Sequence, residues 1–357
     1  MPTRFSIAVF DGDGVGPEVT APTLALLDAL GSPYRLDFER LPAGASCYAE
    51  TGEALPEASL AKAREADAIL LSAMGLPHIR YPDGTEIVPQ IDLRLALDLY
   101  AGVRPVRIAP GQPSPLKIAE RQALDFVLVR ESTEGLFHTK GRGLVTDDYA
   151  EETLRLTRAT SEKVSRFAFT LARARKAAGT GPGRVMCVDK ANVFRAFAWF
   201  RDIFDGVATE FEDVTAEHGY VDAVALWMVG QPQRFDVLVT ENMFGDILSD
   251  LGAGLMGGLG LAPSADIGDR HAVFQPCHGT APDIAGKGLA NPMAMILSAA
   301  MMLRWLGETR GEAAAIADAA RLERAVDAVI AEGRVLTGDL GGTAGTEEVA
   351  AAVRAAL

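Results

Sequence analysis

The chain has 357 residues, of which 48% are hydrophobic, and its 34 lysines and arginines against 48 aspartates and glutamates give a formal net charge of −14. This length is enough for one large or two medium domains with buried cores, and the composition excludes extensive disorder. So acidic a chain has no general attraction for nucleic acid or for anionic membranes, and we expect neither as a partner.

The cysteines Cys47, Cys187 and Cys277 are far apart, which indicates neither a disulfide framework nor a thiolate metal site. The N-terminus has no signal-peptide pattern, and the longest apolar runs are too short to span a bilayer. We therefore expect a cytoplasmic protein.

Short apolar runs alternate with longer helical patterns along the chain, which predicts an α/β fold with a largely parallel sheet. Glycine- and proline-rich stretches mark possible crossings between domains. The alanine-rich part after Gly311 has the pattern of a surface helix. The predicted strands are 5–10, 68–73, 126–129, 184–188 and 236–240, and the predicted helices are 17–30, 151–178, 243–256 and 292–306.

Two aspartates, Asp246 and Asp250, stand four positions apart in a helical pattern directly after a predicted strand. Both carboxylates therefore project from one helix face, where they form half of a site for Mg²⁺ or Mn²⁺. A bare pair of this spacing is more often a solvated acidic face. Here the pair lies among apolar residues at the carboxyl end of a strand, where α/β sheets bind ligands. Asp222 is a third carboxylate in an apolar helical pattern.

Lys190 follows a predicted strand, and near carboxylates and a cation it could accept a proton, although a solvated strand end is the simpler interpretation. Arg94, Arg104 and Arg130 each flank apolar sequence. Arginine binds carboxylates through two parallel hydrogen bonds, so three arginines suit a dicarboxylate, whereas any one could form a structural ion pair.

Two glycine-containing loops are candidates for nucleotide binding. The turn from Asp11 to Gly16 follows a strand but lacks the G-x-G-x-x-G spacing of the usual dinucleotide motif. The loop from His278 to Gly286 is rich in small residues and backbone donors. Its Asp283 could accept hydrogen bonds from ribose hydroxyls, which favours NAD over NADP.

Taken in order, these segments resemble the β-decarboxylating dehydrogenases, the family of isopropylmalate, isocitrate, homoisocitrate and tartrate/D-malate dehydrogenases. The likeness is greatest to isopropylmalate dehydrogenase and covers essentially the whole chain. It is carried by the segments 12–18, 99–105, 129–135, 188–192, 242–250, 278–286 and 288–292.

The resemblance implies roles for particular residues. Lys190, together with Asp222, removes the hydroxyl proton, and NAD⁺ takes the hydride before CO₂ is lost. Asp222, Asp246 and Asp250 hold Mg²⁺ or Mn²⁺. The implied substrate contacts are Arg94, Arg104, Arg130, Gln90 and Asn192, and the implied NAD contacts are His278, Gly279, Thr280, Ala281, Pro282, Asp283, Ile284 and Asn291.

The resemblance also implies the isopropylmalate dehydrogenase fold rather than a true Rossmann fold, with two domains. Residues 1–103 and 256–357 form the first domain, on the cofactor side. Residues 104–255 form the second, on the substrate and metal side, with a dimer arm at about 134–150. Lys190 and Asp222 reach into the partner's site, so a homodimer with shared active sites is implied.

Two positions depart from the family pattern. Phe137 stands where the family has a proton-donating tyrosine, so His138, Lys140 or water would replace it, or the reaction would end after oxidation. Gln90 stands where isopropylmalate dehydrogenases are apolar, which favours a smaller or more polar 3-substituent, as in tartrate, D-malate or isocitrate-type substrates. A non-catalytic regulatory subunit would explain Phe137, but such a subunit should lose metal ligands that this chain keeps.

Overall fold

The structure, a computed structural model, describes residues 2–109, 112–117 and 123–357. The chain divides into two compact units. The first comprises Met1–Asp98, Pro110–Pro115 and Met256–Leu357, and the second comprises Leu99–Ala109 and Leu116–Leu255. The domain division proposed from the sequence stays a prediction. Helices and strands are numbered in chain order below.

The strands of the first unit run in the order β2-β1-β3-β12-β11. β1 is parallel to β2 and β3, β3 is parallel to β12, and β11 is antiparallel to β12. β3 reads Ala-Ile-Leu-Leu and is buried along its whole length, as expected of a strand covered on both faces. The bounds are β1 Arg4–Phe10, β2 Arg35–Arg40, β3 Ala68–Leu71, β11 Pro263–Ile267 and β12 Ala272–Pro276.

The helices of the first unit pack around these strands. Gly311 and Gly333 adopt left-handed conformations that end two successive long helices. The second of these, α10, is a surface helix with one buried and one exposed face, as its alanine-rich sequence predicts. Its small side chains allow close packing, and it buries Ala315, Leu322 and Val326. The bounds are α1 Gly16–Asp28, α2 Ala45–Thr51, α3 Glu57–Glu65, α4 Pro89–Ala96, α9 Met293–Arg310, α10 Ala313–Glu332 and α11 Thr346–Ala355.

The strands of the second unit run in the order β4-β5-β10-β8-β9. β4 is antiparallel to β5, and the other neighbours are parallel, so β5, β10, β8 and β9 end at one edge. A separate two-stranded hairpin joins β6 and β7. The bounds are β4 Ala101–Ile108, β5 Leu124–Glu131, β6 Leu144–Val145, β7 Ala150–Glu151, β8 Arg184–Asp189, β9 Thr215–Tyr220 and β10 Val237–Thr240.

The helices of the second unit follow its strands. The predicted helix at 151–178 is wrong over its first turns, because α5 begins only at Arg158. Glu151 belongs to β7, and the hydroxyl of Thr157 accepts from the Thr160 amide and caps the helix. The bounds are α5 Arg158–Ala177, α6 Arg195–Ala208, α7 Val221–Gly230 and α8 Asn242–Leu255.

Each unit is thus α/β with largely parallel strands, as the sequence predicts. Within the described ranges, no helix is both long enough and apolar enough to cross a membrane. Cys47, Cys187 and Cys277 form no disulfide.

Candidate active site

Asp246 and Asp250 lie on α8, which starts directly after β10. The Glu241 carboxylate accepts hydrogen bonds from the backbone amides of Met243 (3.0 Å) and Phe244 (2.7 Å), which fixes the first turn of the helix. Partial burial, and then the charge of Asp246, raise the pKa of Asp250, while Arg130 and Arg104 oppose the shift. A cation between the two carboxylates would relieve this repulsion.

Arg130, at the end of β5, lies across the first turn of α8 and is 6% exposed. Its guanidinium donates to the Asp246 carboxylate and, over 2.9 Å, to Oδ1 of Asn242. The Nδ2 donor of Asn242 is buried and has no hydrogen-bond partner among the described residues. Sequence reasoning missed Asn242, although its spacing of four from Asp246 places both on one helix face.

Arg104 and Arg94 lie in different units. Arg104 is 5% exposed on β4, and its Nη1 donates to the Val103 carbonyl over 3.2 Å. In the first unit, Arg94 donates from Nε to Oδ2 of Asp266 over 2.9 Å, and Gln275 donates to the same oxygen over 2.8 Å. Asp266, which sequence reasoning missed, is fully buried and therefore holds the Arg94 side chain in one orientation.

Gln90 precedes Arg94 by one helical turn on α4. Its Oε1 atom is buried and accepts no hydrogen bond within the described part of the chain. A buried acceptor without a donor is unfavourable, so a ligand that offers a donor here would be preferred.

Lys190 and Asp222 form a close pair in the second unit. Lys190 follows β8, Asp222 lies in the first turn of α7 after β9, and Nζ is 2.6 Å from Oδ1. The hydrogen bond from Lys190 lowers the pKa of Asp222. The Asp222 side chain is 69% exposed and Asn192 is exposed as well, so both can meet a molecule outside this chain.

The three predicted metal ligands do not come together within one chain. Among the described residues, no three histidine, cysteine, aspartate or glutamate side chains are placed to hold a metal ion. Asp246 and Asp250 are one group, and Asp222 with Lys190 is another.

Buried carboxylates stand in register at the ends of the adjacent strands β5, β10 and β8. Glu131, Glu241 and Asp189 each accept backbone amides of the turn that follows. Arg130 directly precedes Glu131 in β5, α8 begins directly after Glu241, and Lys190 lies in the turn fixed by Asp189. Each carboxylate therefore fixes a turn next to a candidate site residue.

Glu131 should make stability pH-dependent. Burial raises its pKa from 4.5 to about 7 against the opposing hydrogen bonds from Thr133 and Glu134. Between these values the folded chain holds a proton that the unfolded chain lacks, so this group's contribution to stability falls as pH rises towards 7. Glu131→Gln is expected to remove this slope, reducing the difference in unfolding free energy between pH 5 and pH 8 by roughly 3 kcal/mol.

Denaturant unfolding at the two pH values measures that difference. Glu212→Gln, on the exposed side of the same unit, is the control and should keep the wild-type slope. An unchanged pH dependence in Glu131→Gln would contradict the assignment.

A cavity of about 650 Å³ lies within the first unit. Five predicted NAD contacts line it, whereas Thr280, Pro282 and Asp283 do not. The predicted contacts in its lining are His278, Gly279, Ala281, Ile284 and Asn291; the others are Val15, Leu259, Gly260, Leu289, Ala290, Gly338, Asp339, Gly342, Thr343 and Ala344.

Two features of this cavity suit a nucleotide. His278 Nδ1 lies 2.9 Å from the Gly279 carbonyl oxygen and so carries the donating proton, which leaves Nε2 as a buried acceptor without a partner among the described residues. Burial also lowers the pKa of His278 and keeps the ring neutral. Gly14 lets the turn after β1 approach this loop, because a Cβ there would lie 2.1 Å from the Thr280 carbonyl oxygen.

The chain is similar to known dehydrogenases in sequence and in structure. Residues 6–353 match the family described as isocitrate/isopropylmalate dehydrogenase. A 3-isopropylmalate/3-methylmalate dehydrogenase of Methanocaldococcus jannaschii is 44% identical over 98% of both chains. A 3-isopropylmalate dehydrogenase of Methanothermobacter thermautotrophicus is 42% identical over 97% of both.

Solved structures of dehydrogenases also match this chain. Isocitrate dehydrogenase from Methylococcus capsulatus matches with a TM-score of 0.86 and 37% identity over 99% of both chains. The apo form of a β-decarboxylating dehydrogenase from Thermococcus kodakarensis matches with a TM-score of 0.80 and 35% identity, over 99% of this chain and 96% of that one.

The predicted fold and the predicted family, which comprises metal-dependent NAD dehydrogenases, are confirmed by these matches. The chain belongs to the isocitrate/isopropylmalate dehydrogenase family.

Proposed function

We propose that this protein catalyses the NAD⁺-dependent oxidative decarboxylation of a malate with a small substituent at carbon 3. The observation that carries the proposal is the cluster at the carboxyl ends of the second unit's strands. There the charges of the buried Arg104 and Arg130 act on Asp250, which lies one helical turn from Asp246 on α8. The arginines suit the substrate's carboxylates, and the two aspartates suit a divalent metal ion. Together they suit a hydroxy acid whose oxygen atoms chelate that metal.

The donor sets fit the two cofactors. The oxygen ligands Asp246 and Asp250, with Asp222 of a second subunit, suit Mg²⁺ or Mn²⁺, and the cavity at His278 accommodates a nucleotide. When bound, the metal ion supplies positive charge that polarises the substrate's oxygen, and NAD⁺ supplies the hydride acceptor. Asp283 does not itself line the cavity, but it belongs to the loop that supplies His278 and Ile284 to the lining, and an acidic residue in this loop would favour NAD⁺ over NADP⁺.

The chain's own residues would then divide the work. Arg104 and Arg130 orient the substrate's carboxylates, and Asn242 and Asp246 hold the Arg130 guanidinium in place. Lys190 accepts the hydroxyl proton, and Asp222 lies 2.6 Å from its Nζ atom.

A homodimer would complete the site. Large apolar side chains are exposed on α7 and α8, which pack against each other: Leu226 is 71% and Ile247 is 62% exposed. Val145 on the β6–β7 hairpin is 80% exposed. An apolar surface next to Asp222 and Asp246 suits a second copy of this chain, which would bring Asp222 and Lys190 to its partner's metal pair.

The substituent at carbon 3 should be small or polar. Among the described residues, the buried Gln90 Oε1 has no hydrogen-bond donor. An isopropyl group would leave this acceptor unpaired, a hydroxyl group would donate to it, and a methyl group would leave room for a water molecule. A substrate of the 3-methylmalate type is consistent with the M. jannaschii relative, whose name includes that activity. Tartrate and D-malate are the alternatives that Gln90 favours. Cysteines that form no disulfide suit a cytoplasmic location.

A substrate panel tests this proposal. 3-Isopropylmalate, 3-methylmalate, D-malate, tartrate, isocitrate and homoisocitrate are assayed with NAD⁺ or NADP⁺ and Mn²⁺, and reduced cofactor and CO₂ are recorded together. We expect the largest kcat/KM with NAD⁺ and a substrate smaller than 3-isopropylmalate. Stoichiometric Mn²⁺ binding without turnover on any of them would contradict the proposal and indicate a regulatory subunit.

Phe137 lies in a short 3₁₀ helix, Leu136–Thr139, and has no proton to donate. Phe137→Tyr is expected to raise the rate of CO₂ release about tenfold. This is less than the 10²–10⁴-fold that a positioned acid can contribute, because His138, Lys140 or water would supply the proton in place of a tyrosine. Steady-state rates of CO₂ and reduced-cofactor formation measure it, because protonation follows CO₂ loss and limits only repeated turnover, and Phe137→Leu is the control. An unchanged CO₂ rate in Phe137→Tyr would show that protonation at this position is not limiting.

A further inference from the structure

Arg201, on α6, lies between the ends of β8 and β9. Its Nε and Nη2 atoms donate to Oδ2 and Oδ1 of Asp189 over 2.8 and 2.7 Å. Its guanidinium carbon lies 5.2 Å from the centroid of the Tyr220 ring. Asp189 and Tyr220 are register partners in the parallel pair β8–β9. One guanidinium therefore connects the last residues of two adjacent strands.

These two strand ends lead directly to Lys190 and Asp222. Lys190 is the residue after Asp189, and Asp222 is the second residue after Tyr220. Asp189 also accepts the Ala191 amide over 2.8 Å, so the same carboxylate holds the turn that contains Lys190. The Asp189 side chain is fully buried, so loss of its two-point pair with Arg201 would leave an uncompensated buried charge, and the two parallel hydrogen bonds make the pair directional.

The contact between Lys190 and Asp222 cannot hold this geometry by itself. The Asp222 side chain is 69% exposed, and ion pairs with so exposed a partner contribute little and are screened by salt. In a pair meant to reach another subunit, the orientation must come from the backbone that carries the two residues. Arg201 joins the two pieces of backbone concerned.

We infer that Arg201 is a positioning residue that keeps Lys190 and Asp222 at the distance and orientation needed for proton transfer. This inference rests on the proposed function, in which that pair acts on the substrate. Arg201 contacts Asp189 and Tyr220 and acts only through them. Lysine in its place keeps the charge but loses the planar fork that reaches both carboxylate oxygens.

Arg201→Lys is therefore expected to lower kcat about tenfold or more while KM for NAD⁺ stays within about twofold, because small misplacements of reacting groups are costly. Steady-state kinetics with the best substrate of the panel separates the two constants. Tyr220→Leu, which removes the ring but leaves Asp189 paired, should lower kcat in the same direction and serves if Arg201→Lys does not fold.

Arg173→Lys is the matched control. Arg173 makes the same kind of pair with both oxygens of Asp213 and lies 4.4 Å from the Phe211 ring, at a different place in the same unit. It should keep the wild-type kcat. The positioning role is overturned if Arg201→Lys and Tyr220→Leu both match this control.

Lys190→Met distinguishes failure of the proposed function from failure of the positioning role of Arg201. If it keeps the wild-type kcat, the proposed function of the Lys190–Asp222 pair fails, and the role of Arg201 fails with it. If Lys190→Met is inactive while Arg201→Lys and Tyr220→Leu are fully active, only the positioning role is overturned.

Discussion

Asp250→Asn is expected to lower kcat/KM by about 10³-fold, because a metal ion contributes several kcal/mol of charge stabilisation and each 1.4 kcal/mol corresponds to a factor of ten. Asp250 is partly desolvated by burial, and this desolvation and the charge of Asp246 raise its pKa. Removing its charge leaves Asp246, already paired with Arg130, as the remaining carboxylate of this group. Mn²⁺ should then bind much more weakly.

Isothermal titration with Mn²⁺ measures that loss independently of turnover. The control is Asp202→Asn, an exposed aspartate on α6, which should bind and turn over as the wild type does. Wild-type Mn²⁺ affinity in Asp250→Asn would exclude Asp250 as a ligand.

Gly245→Ala should cause the second-largest loss of activity, because this position of α8 faces Arg130. A Cβ added there would lie 2.5 Å from Cγ and 3.1 Å from Cα of Arg130, and the backbone atom cannot move aside cheaply. We expect destabilisation of about 1–3 kcal/mol from overpacking. Displacement of the Arg130 guanidinium from Asn242 and Asp246 should lower kcat/KM for the hydroxy acid about 100-fold.

Gly254→Ala, in the same helix, is the matched control. Nothing lies within 4 Å of a Cβ added at that position, so alanine should be neutral or slightly stabilising. Thermal unfolding and steady-state kinetics on the two variants test the difference. Equal behaviour of Gly245→Ala and Gly254→Ala would show that α8 and Arg130 are less tightly packed than the structure indicates.

The strongly apolar elements were predictable from the sequence, and the polar ones were not. β3 and β10 are buried along their whole length, and runs of four apolar residues (Ala-Ile-Leu-Leu) and three apolar residues (Val-Leu-Val) indicate them in the sequence. β9 reads Thr-Ala-Glu-His-Gly-Tyr and is mostly exposed, so it carries no apolar signal and is held by its pairing with β8. The predicted start of α5 was wrong because its N-cap also depends on a tertiary contact. Thr157 caps the helix, and its amide donates to the distant Glu134.

The sequence by itself determined the aspartate pair that begins the case for a metal site. Asp246 and Asp250 share a helix face because helical spacing is a local property of the chain. The tertiary structure alone decided which partners surround them. Arg130 crosses α8 to reach Asn242, 112 positions away, and the parallel register of β8 and β9 places Lys190 2.6 Å from Asp222. Such contacts depend on strand order and packing, which local periodicity does not encode.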